Sequence, residues 1–357
     1  MTMDLSKKEQ TQTAGNNSIQ NQFGNLNNCN VTVNDSAAIR AIATEVCSKE
    51  MLNVYARCTQ DAIDLADKRN KKFIDIVIAR LEKVESAINS LKDPAFQVMI
   101  QEARETAVKT DREEDWHLLS ELLAYHIEKG NERKIDAGIS RAIKIVNEID
   151  NNALCALTLD YAISYFTPTS GYIKKGLSVL NELYGKFLYL PLPQGNDWIE
   201  HLDLLGTLRI IDFAPKRKFN EFIISRFEEY ACVGIKKESQ EHDLACELLS
   251  KNNISESVLV DNECLEGYVR LRYSTFNNIK PQYQDCIKKI IDVYSNDNFL
   301  IKKAQDNFIK IWDSYDNLKV AKEWWDSNSY AFNITYMGRV LAQTNAKRID
   351  PSLPSLI

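Results

Sequence analysis

Apolar positions change period once along the chain, and that change divides it. Before residue 35 they alternate. Ile19 and Phe23 share one parity, as do Cys29, Val31 and Val33, with Gly24-Asn25 and Asn27-Asn28 between the two groups. Turn formers between two alternating runs predict a short β-hairpin. From Ser36 the period becomes 3.6. Asp35 and Ser36 supply an N-cap, and no Pro or Gly interrupts the run to about Ser90, which predicts one long helix. Within it Ile74, Val77, Leu81, Val84, Ile88 and Leu91 follow a 3-4-3-4-3 spacing, the pattern of a coiled-coil seam. Such a seam joins two subunits or packs on the next helices of its own chain, and the pattern leaves both open.

Beyond Ser90 the expected helix starts are regular. Asp93-Pro94 offers a cap and a first-turn proline, Thr110 with Glu113 a capping box, and further starts fall near Arg133, Asn151 and Ser170. Two helices per roughly 40 residues is the period of HEAT-like α-solenoids, although a bundle with short loops gives the same spacing. Leu188–Gly195, which holds Pro191, Pro193 and Gly195, is the clearest interruption. After it, Phe219, Phe222, Ile223, Phe227 and Tyr230 line one helical face, and residues 240–251, 281–295 and 298–313 read as helices. Tyr268–Tyr273 alternates and suits a short strand. Trp312, Trp324 and Trp325 are expected to anchor a core. The fold class expected is mainly all-α: a long N-terminal helix, then an α-solenoid-like or bundled helical array, preceded by a short β-hairpin-like segment. Its expected divisions are residues 1–35, 36–190 and 191–357.

Composition sharpens the reading of the first segment. Residues 11–34 contain eight Asn and three Gln and no charge. An isolated hairpin with so few apolar groups does not offset its own ordering entropy, so it needs a partner. Uncharged Asn and Gln strands form side-chain ladders when identical copies stack. Self-assembly is therefore expected through Ile19, Phe23, Leu26, Val31 and Val33, and along the seam of Ile74, Val77, Leu81, Val84 and Ile88. The alternatives are a polar tail and a hairpin packed on the chain's own helices.

Charge and cysteine usage bound the rest. The 357 residues carry 44 Lys plus Arg against 50 Asp plus Glu, a net charge of −6 that argues against a general polyanion binder. Nucleic acid is thus not the expected partner, and the cluster Lys68, Arg69, Lys71 and Lys72 reads as a solvated helix face. Eight cysteines are scattered with no pair closer than eleven residues, which suits buried, reduced thiols. The first ten residues hold no apolar h-region, and about 18 consecutive apolar residues occur nowhere. A cytoplasmic protein without a membrane span is expected.

Chemistry is sparse. There are four histidines, His117, His126, His201 and His242. Glu114, His117 and Glu121 share a helix face at a spacing compatible with metal ligation, which a polar exposed stripe explains equally. Gly171 and Gly176 have Walker A spacing, but Leu177 stands where the phosphate-binding lysine is needed. Asp261, Glu263 and Arg270 are a nuclease-like set without the strand context that would hold two carboxylates on one metal. No local context selects a Cys–His pair. No catalytic residue, metal site or cofactor is assigned.

Gly15-Asn16-Asn17-Ser18-Ile19-Gln20, Gly24-Asn25 and Asn30-Val31-Thr32-Val33-Asn34 together resemble the Gly/Asn-rich β motif that precedes diverse bacterial proteins linked to conflict or anti-phage defence. The same stretch is loosely similar to the Asn/Gln-rich segments of amyloid-signalling proteins, from which Asn21 and Gln22 depart. Phe332-Asn-Ile-Thr335-Tyr-Met-Gly338-Arg-Val-Leu-Ala342 is similar to the Leu-Thr-x-x-Gly-x-x-Ile-Ala ending of an uncharacterised family of bacterial helical proteins with the same head and long first helix. Physically, Thr335 suits the cap of a helix beginning near Tyr336, with Gly338 allowing close packing. The resemblance brings no catalytic signature. It implies a link to defence, and with the assembly expected from composition the reading is a non-enzymatic, self-associating bacterial defence protein, acting as sensor, scaffold or effector, with a phage or host protein as candidate partner. Two alternatives stay open: a metal-dependent nuclease or other hydrolase, and a solenoid adaptor that binds one protein.

Overall fold

The computed structural model describes residues 49–85, 87–129, 132–275 and 279–354. The expected hairpin, with Ile19, Phe23, Leu26, Val31 and Val33, and the cap at Asp35-Ser36 lie outside them. The chain is mainly α-helical. Helix α1 (Lys49–Leu81) is the long first helix, and α2 (Ala87–Ser90), α3 (Pro94–Ala107), α4 (Glu113–Lys129), α5 (Arg133–Ile145), α6 (Asn151–Tyr165), α7 (Ile173–Phe187) and α8 (Asp197–Leu204) follow. Strand β1 (Leu208–Pro215) then leads into α9 (Phe219–Arg226), β2 (Ile235–Lys236), α10 (Gln240–Lys251), β3 (Leu259–Asp261) and β4 (Tyr268–Leu271). Helices α11 (Gln284–Ile291), α12 (Asn298–Asp313) and α13 (Asp316–Ser327), strand β5 (Tyr330–Ile334) and α14 (Tyr336–Ile349) complete the order. The chain divides into two units within α1, after Lys72, and the fold described below is that of Phe73–Ile357.

Local chemistry sets most helix boundaries where they were expected. Asp93 caps α3, accepting from the Ala95 amide, with Pro94 in the first turn. Asp150 caps α6 by accepting from Asn152 and Ala153, and Thr335 caps α14 by accepting from Gly338. Several boundaries differ: α9 ends at Arg226, so Phe227 and Tyr230 lie beyond it, and α11 covers only Gln284–Ile291 of the expected 281–295. The first helix stops at Leu81 rather than near Ser90, although no Pro or Gly breaks it. Tight bonds from Lys83 to the Arg80 carbonyl and from Val84 to that of Leu81 end it, and the resulting turn keeps Val84 packed on the core and Ala87 buried. Packing overrides local propensity there. The capping box is also absent: Thr110 accepts from the Arg112 amide and donates to buried Asp115 at 2.7 Å, while Glu113 leans on exposed His117. The buried carboxylate needs the hydroxyl more than the helix end does.

Of the apolar seam, Val77 and Leu81 are buried, Val84 is half-buried and Ile74 is exposed. The side chain of Ile88 lies outside the described set.

The helices close on themselves. Helix α14 packs on α4, α5 and α6 and touches α7, elements about 200 residues earlier in the chain. An open solenoid brings together only successive repeats, so the bundled alternative holds for this body. Helix α6 is the central element. Ala153 through Ile163 are all buried, as expected of a helix that is apolar all round. Trp312 is fully buried among Tyr184, Phe219, Phe227 and Phe308, with centroids 5.2–6.5 Å away. A smaller second core joins β2, β4, α10 and α11 through Ile235, Leu249, Leu271 and Ile287.

The strands were largely unforeseen. β1 and β5 pair antiparallel, Leu208 opposite Ile334, while β2, β4 and β3 form a three-stranded sheet in that order. Only β4 was legible as alternation.

Candidate functional site

The β1–β5 pairing contains an irregularity that builds a cavity. Ile211 pairs with Ala331 and Pro215 with Tyr330, so residues 212–214 loop out of register. The bulge leaves Phe213 99% exposed and turns the chain inward immediately afterwards, at Lys216. Bulges re-aim side chains in this way.

Lys216 enters an aromatic box. Its Nζ lies 4.1 Å from the centre of the Trp325 ring, 5.1 Å from Phe332 and 5.7 Å from Trp324. Ring faces attract a cation most strongly where water is excluded, and only 10% of this side chain is exposed. Opposite it stands Asp160, the only charged residue of α6, itself 5% exposed. The two charges are 3.9 Å apart, too far for a hydrogen bond. Neither Asp160 Oδ1 nor Lys216 Nζ has a hydrogen-bond partner among the described residues, and the same holds for Arg226 Nε and the buried Tyr184 hydroxyl.

Burial dominates the electrostatics. It pushes the Asp160 carboxyl up to about 6 despite the attraction of Lys216. It pulls the Lys216 ammonium down, against Asp160 and Asp326. Arg226 is lowered by the same desolvation. Each group is thus short of the polar contact that would hold its charge.

The space in front of them is about 950 Å³, lined further by Ser164, Thr167, Ser225 and Thr275. That is the size of a small-molecule pocket, and convergent polar groups on an apolar wall are its usual chemistry. A ligand acceptor would complete Lys216 and Arg226, and a ligand donor would complete Asp160.

Of the sites weighed from sequence only two pairs meet among the described residues, Glu263 with Arg270 at 3.8 Å and Cys246 Sγ with His242 Nε2 at 4.0 Å, and the metal-ligating sets do not assemble. Asp261 is exposed and paired with Lys237 at 2.7 Å. Glu263 accepts from the amide of Ile173 at the start of α7 with the same oxygen that faces Arg270. Arg270 is fully buried, donating to the carbonyls of Gly171, Leu271 and Tyr273. Gly171 and Gly176 are packing glycines, since a Cβ would overlap the Arg272 backbone and the Tyr230 hydroxyl respectively. Glu121 is paired with Arg80 at 2.6 Å, and His117 lies 3.6 Å from Glu113. His126 is buried, stacked on Phe96 and 3.1 Å from Asp136. Among the described residues no three His, Cys, Asp or Glu side chains group to hold a metal ion. Cys155, Cys232, Cys246, Cys264 and Cys286 are free thiols, and no described helix is long and apolar enough to cross a membrane.

Sequence reasoning missed Lys216 and Asp160. One signal was present: a lone carboxylate in the otherwise uncharged run Asn151–Tyr165. Its partner comes from a strand after a bulge, which no periodicity announces.

Residues 33–354 match a family model whose description reads ":-like". No curated protein matches the chain, and no solved structure does.

Proposed function

We propose, for a chain that belongs to the family described as ":-like" from residue 33 to residue 354, that it is a bacterial cytoplasmic defence protein that self-associates through its N-terminal segment under the control of a small anionic ligand. The ligand would bind in the Lys216 cavity. One observation carries the ligand reading: Lys216, Asp160 and Arg226 converge on a 950 Å³ space with hydrogen-bonding capacity left unfilled. Buried groups of this kind cost free energy unless something completes them. The assembly part rests on the uncharged Asn/Gln-rich composition of residues 11–34, and the defence part on the resemblance of that segment. Weak head contacts would become effective once several copies are held together.

The test is thermal unfolding of the full chain with inorganic phosphate, nucleoside monophosphates and small dicarboxylates, each also applied to Lys216→Met and Arg226→Gln. A ligand at a hundred times its Kd stabilises by about 2.7 kcal/mol, which raises the Tm by several degrees. The expected result is such a rise with at least one anion, lost in both variants. A rise that both variants retain, or none with any anion, would sink the reading.

The position of Asp160 favours a second reading, a hydrolase. A carboxyl raised to about 6 beside an ammonium can deliver a proton near neutrality. Turnover of the stabilising ligand, followed by NMR and abolished in Asp160→Asn, would decide for it. An unchanged ligand spectrum would decide against.

A further inference from the structure

A second concave surface, sharing no lining residue with the Lys216 cavity, lies between α5, the turn from α8 into β1 and the first turn of α14. It holds about 670 Å³. Lys134, Arg141, Lys144 and Arg209 line it, and no carboxylate is among its lining residues. Lys144 is held by Glu102 at 2.8 Å and Arg209 by Asp203 at 3.4 Å. Arg141 and Lys134 are exposed. Beside these cations Leu204, 84% exposed, forms an apolar lip, and Met337 lies within the groove.

The groove is built on the C-terminal motif. Thr335 is occupied by capping, and Gly338 by close packing on the Thr207 backbone, which a Cβ would overlap. Tyr336 has neither task. Its ring lies against Gly138, where a Cβ would approach to 2.8 Å, and Lys134 Nζ sits 5.0 Å from its centre. The motif therefore makes the groove floor as well as a helix start.

We propose that this groove docks an acidic peptide segment carrying apolar side chains. Its carboxylates meet Arg141 and Lys134, and an apolar side chain rests on Leu204 and Met337. Charge complementarity selects this occupant: Glu102 and Asp203 compensate Lys144 and Arg209, while Lys134 and Arg141 are exposed with no ion pair among the described residues, which leaves the groove locally positive on a chain of net charge −6. Single-stranded nucleic acid also seeks cations, but it needs open ring faces for its bases. The Tyr336 ring is half-buried, packed on Gly138, and already carries the cations of Lys134 and Arg339 at 5.0 and 5.6 Å from its centre.

The test is fluorescence anisotropy of the full chain with three labelled probes: a peptide of Glu and Leu, the same peptide with Lys for Glu, and a single-stranded DNA oligonucleotide. The acidic peptide is expected to bind saturably and more weakly as salt is raised. The double variant Lys134→Glu/Arg141→Glu is expected to weaken it about tenfold or more. Leu204→Ser, an exposed position that leaves the charge unchanged, is expected to weaken it severalfold. Circular dichroism checks that both variants remain folded. Absent binding of the acidic peptide, an affinity untouched by the double variant or by Leu204→Ser, or tighter binding of the DNA would each overturn the proposal.

Discussion

At the scale of single residues, buried carboxylates set the response to pH. Glu229 is 3% exposed, and its Oε2 accepts from the Tyr294 hydroxyl at 3.1 Å. Burial raises it to about 7, against the pull of that bond and of Arg270. In the unfolded chain it ionises near the ordinary 4.5. Below that pH both states hold the proton and no difference arises. Between about 4.5 and 7 the unfolded chain releases it while the folded chain keeps it, so stability falls as pH rises, and above 7 the loss is complete. A shift of this size corresponds to about 3 kcal/mol. Asp160, raised to about 6, acts with the same sign over a lower window. Glu229→Gln is expected to flatten the Glu229 part, raising the Tm at pH 8 while leaving it nearly unchanged at pH 4. Scanning calorimetry across that range checks this, and an unaltered slope would assign the titration elsewhere.

At the scale of elements, the connections carry much of the specificity. Arg112 ties the start of α4 to the α5–α6 turn, donating to the carbonyls of Val146 and Ile149 and to the Asn151 side chain, with Asp115 holding its Nε at 2.8 Å. On the same turn Asp150 caps α6, whose far end carries Asp160 into the cavity. Asp150→Ala is expected to cost about 1 kcal/mol of stability, read as a lower midpoint in urea with an unchanged slope. A changed slope would mean that the α5–α6 connection, and not the cap alone, had been lost. The fixed register at α6 matters because Asp160 is buried on a helix with no solvent face to return to.

At the scale of the whole molecule, α14 ties together the helices of the unit Phe73–Ile357 by packing on α4, α5 and α6. The assembly proposal belongs to the same scale. Light scattering on the full chain and on one lacking residues 1–35 is expected to show a multimer that collapses on truncation while the helical signal persists. Equal masses with both chains folded would remove assembly from the role of the head. The sequence by itself determined what is local. Capping side chains and periodicity gave the helix starts at Pro94, Arg133, Asn151 and Tyr336, the long first helix and the burial of Trp312, Trp324 and Trp325. These follow from hydrogen bonds and apolar stripes within a few residues of one another. Tertiary structure alone decided that the first helix stops at Leu81, that β1 pairs with a strand about 120 residues later, and that Lys216 meets Asp160 inside an aromatic box. The physical reason is range. A bulge, a buried ion pair and an aromatic box depend on which distant surfaces exclude water together, and period 3.6 says that a face is buried without saying against what.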